Sequence, residues 1–290
     1  MNISTDTLPA PVRHGLSSAL PESDAAIWNR LGGGRTNRCW RGDTGNDSIV
    51  VKLFTDGGSN PLFPNEPCQE ARVLQLLSGR QLAPELLAEF ETPLGHCIAY
   101  RHVTGELWRT GTFEAGQLMR RLHDIAPPTG LRKVETSLAS LEEHALKMSP
   151  QARQVLPLLP TKPQLDSTPP VFLHGDIVAG NLIRSPTGLT LIDWQAPGLG
   201  DACHDIAVFL SPAMMQLYRG APLSRKEIED FFKGYESTTT HDRYRLLNPW
   251  LNLRLFAYCL WKAEQGDQDY RSAAQLELDA LKDDLANYPR

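Results

Sequence analysis

The sequence predicts an α+β protein in two lobes, a small β-rich N-terminal lobe and a larger helical C-terminal lobe. Short β-prone runs dominate before residue 105, whereas apolar residues recur at helical spacing after it. A third observation is a hairpin pattern, over residues 171–207, that lies inside the helical part. We therefore expect a flexible N-terminal arm over residues 1–25, an N-lobe over residues 26–104 and a C-lobe over residues 105–290.

The composition is that of an ordinary globular protein. The chain has 290 residues, which is enough for a buried core and one or two domains. A net charge of −5 gives no basic surface of the kind that binds nucleic acid. The five cysteines are scattered without a C-x-x-C pair, which indicates reduced thiols rather than disulfides or a zinc site. No apolar run reaches membrane length, so we expect a soluble, cytoplasmic protein without nucleic-acid or membrane partners, of open oligomeric state.

The N-lobe begins with a glycine-rich turn that runs into a strand. Glycines allow the backbone to approach a ligand closely, and the turn contains, in order, Gly33, Gly34, Thr36 and Asn37. The following apolar run, residues 49–54, predicts a strand with Lys52 inside it. A lysine in an apolar strand is costly unless its ammonium finds a partner.

The next element is a helix that supplies two candidate partners for that lysine. Asn65 is the predicted N-cap, Pro67 lies in the first turn and Gly79 ends the helix. Glu66 lies at the helix entrance, where a carboxylate is favoured in any case by the helix dipole, and Glu70 lies one turn further in. A strand over residues 97–100 then ends the N-lobe.

The C-lobe is predicted to be mainly helical. Apolar residues at helical spacing, with a capping box at Ser224 and Glu227 before one of the runs, predict helices over residues 113–125, 138–148, 224–235, 246–265 and 272–287.

The hairpin pattern brings oxygen-bearing side chains together. Asn181 begins one β-prone run, Asp193 follows the other, and a Ser-Pro-Thr-Gly turn at residues 185–188 joins them. Antiparallel pairing places the start of the first strand beside the end of the second, so Asn181 and Asp193 should face the same space. Asp176 lies on the loop that leads into it. Oxygen ligands suit Mg²⁺.

These motifs resemble those of a known family. His174-Gly175-Asp176 followed by Asn181, then Asp193-Trp194, then a G-D-x-x-x-D pattern that ends at Asp205, is similar to the aminoglycoside phosphotransferase and choline kinase superfamily. The resemblance implies a protein-kinase-like fold and an ATP- and Mg-dependent kinase of small molecules. It implies that Asp176 is the catalytic residue that accepts or orients the proton of the attacking hydroxyl, and that Asn181 and Asp193 bind Mg²⁺.

The same resemblance implies the nucleotide-binding residues. Lys52 would hold the phosphates and be held by a glutamate of the following helix, for which the family's spacing to a downstream proline favours Glu70 over Glu66. The glycine-rich turn would cover the phosphates, and backbone groups of the hinge from Tyr100 to Val103, which includes His102, would bind adenine. The resemblance further implies that Asp205 and His174 brace the catalytic loop, while His123 is interpreted as a packing residue.

The acceptor stays open at this level. The turn Gly-Gly-x-Thr-Asn resembles the choline kinase branch and favours a small cationic alcohol such as choline or ethanolamine. The hairpin also resembles thiamine kinases, and an aminoglycoside is a third alternative. The aromatic candidates for a wall that binds a cation are Trp194, Trp250, Tyr258 and Trp261. The alternative is that aromatic residues at helical spacing simply pack the core.

Two other functions compete with a kinase. A nucleotide-binding pseudokinase would lack Lys52, Asp176 or Asp193, all of which are present. A metal-dependent phosphohydrolase needs paired histidine sites, which the eight scattered histidines do not form. The sequence does not decide between ATP and GTP.

Overall fold

The computed structural model describes residues 7–32, 36–45, 47–55, 60–286 and 288. Its tertiary contacts divide the chain into two units. The first unit comprises residues 1–105 and 190–196, and the second comprises residues 106–189 and 197–290. The first contains an antiparallel sheet and the second is mainly helical, so the predicted α+β class is confirmed. Among the described residues, no helix combines the length and the hydropathy needed to cross a membrane.

The first unit is built on one five-stranded antiparallel sheet in the order β1-β2-β3-β5-β4. Its elements are α1 (Ala10–Ala19), β1 (Ile27–Leu31), β2 (Arg38–Asp43), β3 (Ser48–Leu53), α2 (Pro67–Leu76), β4 (Leu86–Thr92) and β5 (Gly95–Arg101). The β3 strand is central, and Lys52 lies opposite Cys39 of β2 and Ile98 of β5. Lys52 is therefore flanked by a paired strand on each side.

The prediction of a flexible arm over residues 1–25 is wrong for the described residues 7–25. They form α1 and a short 3₁₀ turn. Leu8, Val12 and Leu16 recur every four residues and are buried in one core cluster with the sheet. Gly15 lets the helix approach closely, since a Cβ there would lie 2.7 Å from the Phe90 ring of β4. The apolar stripe of this segment outweighs its polar, Pro- and Ser-rich composition.

The segment 190–196 belongs to the first unit, although the sequence placed it in a continuous C-lobe from residue 105. The Leu191 amide donates to the Leu82 carbonyl at 3.0 Å, and the Gln195 carbonyl accepts from the Glu66 amide at 2.9 Å. These backbone bonds attach the stretch that carries Asp193 to the first unit.

The second unit has two small sheets, in the orders β10-β9-β6 and β7-β11-β8, and seven helices among its described residues. The strands are β6 (Glu106–Leu107), β7 (Arg132–Val134), β8 (Val171–Leu173), β9 (Leu182–Ser185), β10 (Gly188–Leu191), whose last two residues fall in segment 190–196, and β11 (Gly198–Gly200). The helices are α3 (Thr112–His123), α4 (Leu138–Met148), α5 (Cys203–Leu210), α6 (Pro212–Arg219), α7 (Arg225–Tyr235), α8 (Thr238–Glu264) and α9 (Asp269–Ala286).

Two features of these helices bear on the prediction. The capping box at Ser224 and Glu227 is confirmed at the start of α7. The α8 helix begins eight residues before the predicted start at residue 246, because Ser237 caps it by accepting from the Thr240 amide.

Helices α3 and α7 cross through two glycines. A Cβ on Gly116 would lie 2.2 Å from the Phe231 carbonyl oxygen, and one on Gly234 would lie 2.0 Å from the Phe113 carbonyl oxygen. The backbones can therefore approach only because neither residue has a side chain. This crossing places His123 and Tyr235, the last residues of the two helices, beside each other.

Candidate active site

Lys52 is buried on β3 and is paired with two carboxylates. Its Nζ lies 2.6 Å from Glu70 Oε2 and also donates to Asp193 Oδ1. Lys52 and Glu70 are 2% and 1% exposed, so neither charge could be buried without the other. Of the two candidate glutamates, the structure places Glu70 on the lysine, because Glu66 is the cap residue of α2.

The electrostatics follow from this burial. Burial works against the charge of Lys52, but Asp193 and Glu70 outweigh it and raise the pKa of the ammonium. Burial raises the pKa of Glu70 above its ordinary value, with Lys52 opposing the shift. The ammonium is therefore kept charged in the interior, as a group that binds phosphate oxygens must be.

Asp193 is the least buried of the three groups, with a side chain that is 35% exposed. Its backbone has φ +62°, in the left-handed region that few non-glycine residues adopt. Such strain is typical of functional positions. Asp193 therefore combines an accessible carboxylate with a sparsely populated backbone conformation.

The glycine-rich turn is described in part. Gly33 and Gly34 lie outside the described residues. The Thr36 carbonyl accepts from the Thr55 hydroxyl at 2.7 Å. The Asn37 amide group is occupied by protein: it donates to Asn65 Oδ1 and to Gln195 Oε1, both at 2.9 Å. Asn37 thus ties the turn to the Asp193 segment, and a nucleotide contact of Thr36 or Asn37 stays a prediction.

Asn65 and Gln195 were missed by sequence reasoning. Asn65 is not the N-cap of α2, since its amide instead donates to Asn37 Oδ1 at 3.0 Å and to the Thr55 carbonyl at 3.2 Å. Gln195 is buried, and its position directly after the Asp-Trp pair was the only signal in the sequence.

Tyr100 and His102 lie at the end of β5. Tyr100 is opposite Val50, so it shares a sheet face with Lys52, and burial is the main cause of its raised pKa. The His102 amide already donates to the Ser48 carbonyl at 2.8 Å and extends the strand ladder. That amide is therefore engaged, and the predicted adenine contacts of these two residues stay predictions.

In the second unit, Asp205 holds the loop that carries Asp176. Its Oδ2 accepts from the His174 amide at 2.9 Å, and its Oδ1 accepts from the Gly175 amide at 2.8 Å. Burial would raise the pKa of Asp205, but the hydrogen bond from His123 and the neighbouring histidines hold it below the ordinary value. A fully buried carboxylate thus fixes two consecutive backbone amides of the loop.

Asp176 and Asn181 form the next layer of the loop. The Asp176 amide donates to His174 Nδ1 at 3.2 Å, and Asn181 Nδ2 donates to the Asp176 carbonyl at 2.9 Å. The same amide lies 3.4 Å from Asp176 Oδ2. Asp176 is therefore held from both sides while its carboxylate is only half-buried. Asn181 and Asp193 belong to different units, so their shared metal stays a prediction.

His123 does more than pack. Its Nε2 lies 3.2 Å from Asp205 Oδ2, and its Nδ1 lies 2.8 Å from the Tyr235 hydroxyl. The hydrogen-bonded series Tyr235–His123–Asp205 ends on the loop that carries Asp176. No local pattern indicates this connection, because the residues come from three separate helices.

The aromatic candidates for the acceptor separate into two groups. Trp250 is completely buried, and its Nε1 donates to Glu142 at 2.9 Å, so it belongs to the core. Tyr258 is also buried, but it stacks on the half-buried Trp261 with ring centroids 5.8 Å apart.

Phosphoryl transfer asks a protein for positive charge on the phosphates and for a positioned group beside the attacking hydroxyl. A charged lysine held inside an antiparallel sheet and an aspartate held on a braced loop are groups of these two kinds, which makes them the candidate active-site residues. Residues 27–247 match the family model APH, which is described as "Phosphotransferase enzyme family". This is more than half of the chain, so the chain belongs to that family and is a phosphotransferase with a hydroxyl acceptor.

Solved structures show the same fold at low sequence identity. A choline/ethanolamine kinase family protein from Mesorhizobium loti has a TM-score of 0.63 and 16% identity, over 93% of this chain and 92% of the other. Choline kinase from Cryptosporidium parvum has a TM-score of 0.62 and 15% identity, over 91% of this chain and 90% of the other. A thermostable mutant of the aminoglycoside phosphotransferase APH(4)-Ia, in a complex with AMP-PNP and hygromycin B, has a TM-score of 0.63 and 14% identity, over 93% of this chain and 97% of the other. No curated protein sequence matches the chain.

Proposed function

We propose that this protein is an ATP- and Mg²⁺-dependent kinase that transfers the γ-phosphate to a hydroxyl of a small cationic alcohol of the choline or ethanolamine type. The observation that carries the proposal is the buried Lys52–Glu70 pair with Asp193 bound to the same ammonium. Burying a charged lysine inside a sheet is unfavourable unless it is paired. Phosphate oxygens form strong charge-assisted hydrogen bonds with such an ammonium.

In this proposal Lys52 binds phosphate oxygens of ATP and Glu70 keeps the lysine in place. The carboxylate of Asp193 and the amide oxygen of Asn181 are the metal ligands. They fit Mg²⁺, which prefers oxygen donors, and the exposed fraction of Asp193 leaves its carboxylate accessible. The metal, when bound, neutralises charge that develops on the phosphates.

Asp176 acts on the acceptor. Its carboxylate is half-buried on a loop whose amides are fixed by Asp205, so it orients the attacking hydroxyl and accepts its proton. General-base groups of this kind contribute about 10²–10⁴-fold to a rate.

Two half-buried aromatic residues, Tyr218 and Trp261, favour a cationic acceptor and are connected through the buried Tyr270 and Tyr258. The Tyr218 ring packs on Gly180, next to Asn181, where a Cβ would lie 3.0 Å from it. The Tyr218 hydroxyl lies 3.2 Å from that of Tyr270, which contacts Tyr258 and, through it, Trp261. Aromatic faces attract cations, and the exposed Glu264 adds a carboxylate near Trp261 in sequence.

The test is ADP release with a panel of choline, ethanolamine, thiamine and kanamycin, each with Mg-ATP. We expect turnover with choline or ethanolamine, and a loss of about 10²–10⁴-fold in kcat in Asp176→Ala. The melting temperature of that variant, with and without Mg-AMP-PNP, provides the control that fold and nucleotide binding are retained.

Several outcomes would contradict the proposal. Full turnover in Asp176→Ala would remove the assigned role of that residue. Turnover with kanamycin or thiamine, and with neither choline nor ethanolamine, would show that the proposed acceptor class is wrong. A nucleotide-dependent increase in melting temperature without ADP release from any acceptor would favour a non-catalytic nucleotide-binding protein.

A further inference from the structure

A second cluster of ligand-type side chains lies in the first unit, apart from Lys52. Cys68 lies in the first turn of α2, Glu89 on β4 and His96 on β5. The Sγ, a carboxylate oxygen and a ring nitrogen of these residues all lie within 4.8 Å of one another. Such separations are close to the spacing of ligands around one metal ion, so small side-chain rotations suffice to bring them together.

A fourth residue fixes the orientation of the histidine. Glu91 lies directly opposite His96 in the β4–β5 register, and His96 Nδ1 lies 2.6 Å from Glu91 Oε1. Because a carboxylate only accepts, this bond places a ring proton on Nδ1. Metal-binding histidines are held in this manner, with a carboxylate on one nitrogen and the metal on the other.

The other ring nitrogen points towards the cluster. His96 Nε2 is buried and makes no hydrogen bond, although it lies 3.1 Å from Glu89 Oε1. With the proton on Nδ1, Nε2 and the Glu89 oxygen are both electron-pair donors facing each other. A cation among them converts this repulsive arrangement into coordination.

We propose that Cys68, Glu89 and His96 form a Zn²⁺ site in which Glu91 orients His96. Thiolate, imidazole and carboxylate are the three kinds of side chain that bind zinc, and three protein ligands leave a fourth position for water. Mg²⁺ prefers oxygen ligands alone and is disfavoured by sulfur. Cys68 and Glu89 are exposed, so the ion has a path to the site.

The site has a consequence for the helix that it includes. Glu70 lies in the same first turn of α2 as Cys68, whereas Glu89 and His96 belong to the β4–β5 hairpin. A bound ion joins that turn to the hairpin through three side chains. The zinc site itself is independent of the proposed phosphotransfer reaction, and its test does not use turnover.

The test is a titration of the full-length, chelator-treated protein with Co²⁺, a spectroscopic substitute for Zn²⁺, in the absence of nucleotide. We expect a thiolate-to-cobalt charge-transfer band that saturates at one equivalent and is abolished by Zn²⁺ but not by Mg²⁺. Cys68→Ser should remove the band. Glu91→Gln should weaken binding by about 10–100-fold, the usual effect of a partner that orients a ligand.

Cys39→Ser is the matched thiol control, because burial raises the pKa of the Cys39 thiol to about 12 and it should not bind the ion. Absence of a charge-transfer band in the unmodified protein would overturn the proposal. A band that persists in Cys68→Ser would overturn it equally.

Discussion

Asp205→Asn is the substitution that most directly tests how the loop that carries Asp176 is held. Asp205 is completely buried and accepts from the His174 and Gly175 amides at 2.9 and 2.8 Å, with His123 as a further partner. An asparagine offers one oxygen, so at least one of the two loop amides loses its acceptor.

The expected loss of unfolding free energy follows from these contacts. A buried donor left without a partner costs about 1–3 kcal/mol, and the remaining bonds lose the extra strength that a charged acceptor gives. We expect a decrease of about 3 kcal/mol at neutral pH, which corresponds to a fall of about 6–12 °C in Tm for a unit of this size.

The effect has a defined pH dependence. The folded-state pKa of Asp205 is lowered, so the carboxylate contributes stability that is present above the ordinary Asp pKa of about 3.9 and is lost as pH falls through the folded value. Asparagine does not titrate. The difference in unfolding free energy between the unmodified protein and Asp205→Asn should therefore become smaller below about pH 4.

Urea unfolding of both proteins across this pH range measures the difference. Asp124→Asn, in the same unit, is the matched control, because Asp124 is 56% exposed and pairs with Arg120 only at the surface, where such pairs contribute about 0.3–0.5 kcal/mol. The reasoning is refuted if Asp205→Asn is no more destabilising than this control, or if its effect is constant down to acid pH.

Three further substitutions test the first unit and the helix crossing by chemical denaturation. Leu16→Ala should lower the unfolding free energy by about 2–5 kcal/mol, whereas Leu94→Ala, at a side chain that is 48% exposed, should change it by less than about 0.5 kcal/mol; equal effects would contradict the packing of α1. Glu70→Ala should cost about 3–5 kcal/mol because it leaves a buried ammonium short of one partner, and a neutral result would mean that Asp193 alone suffices. Gly234→Ala should cost about 1–3 kcal/mol or more, while Gly32→Ala, with open space around its Cβ position, should be tolerated; a tolerated Gly234→Ala would show that the two helices can move apart.

Local patterns in the sequence predicted much of this fold. The capping box of α7 needs only residues three apart, and the costly position of Lys52 follows from its own strand. The choice of Glu70 over Glu66 rested on its position one turn inside the helix and on the resemblance to the family's spacing from that glutamate to a downstream proline. These predictions depend on neighbours in the chain, which a sequence displays directly.

Contacts over long distances in the chain account for what the sequence did not indicate. His123 and Asp205 are 82 residues apart, and Asn37 and Gln195 are 158 residues apart. The residues of the proposed zinc site come from three elements, so the spacing of cysteines alone could not indicate them. The N-terminal helix was missed for a related reason, since its apolar stripe is short and gains its stability from the sheet that it covers.

The membership of residues 190–196 in the first unit limits how this polypeptide can be dissected. The chain passes from one unit to the other three times, after residues 105, 189 and 196, so no single proteolytic cut separates them. A fragment that starts at residue 106 would carry this stretch without Leu82 and Glu66, to which its backbone is bonded. Trp194, which is fully buried in the intact protein, lies in this stretch, so the fragment would lack backbone partners that hold a buried segment in place.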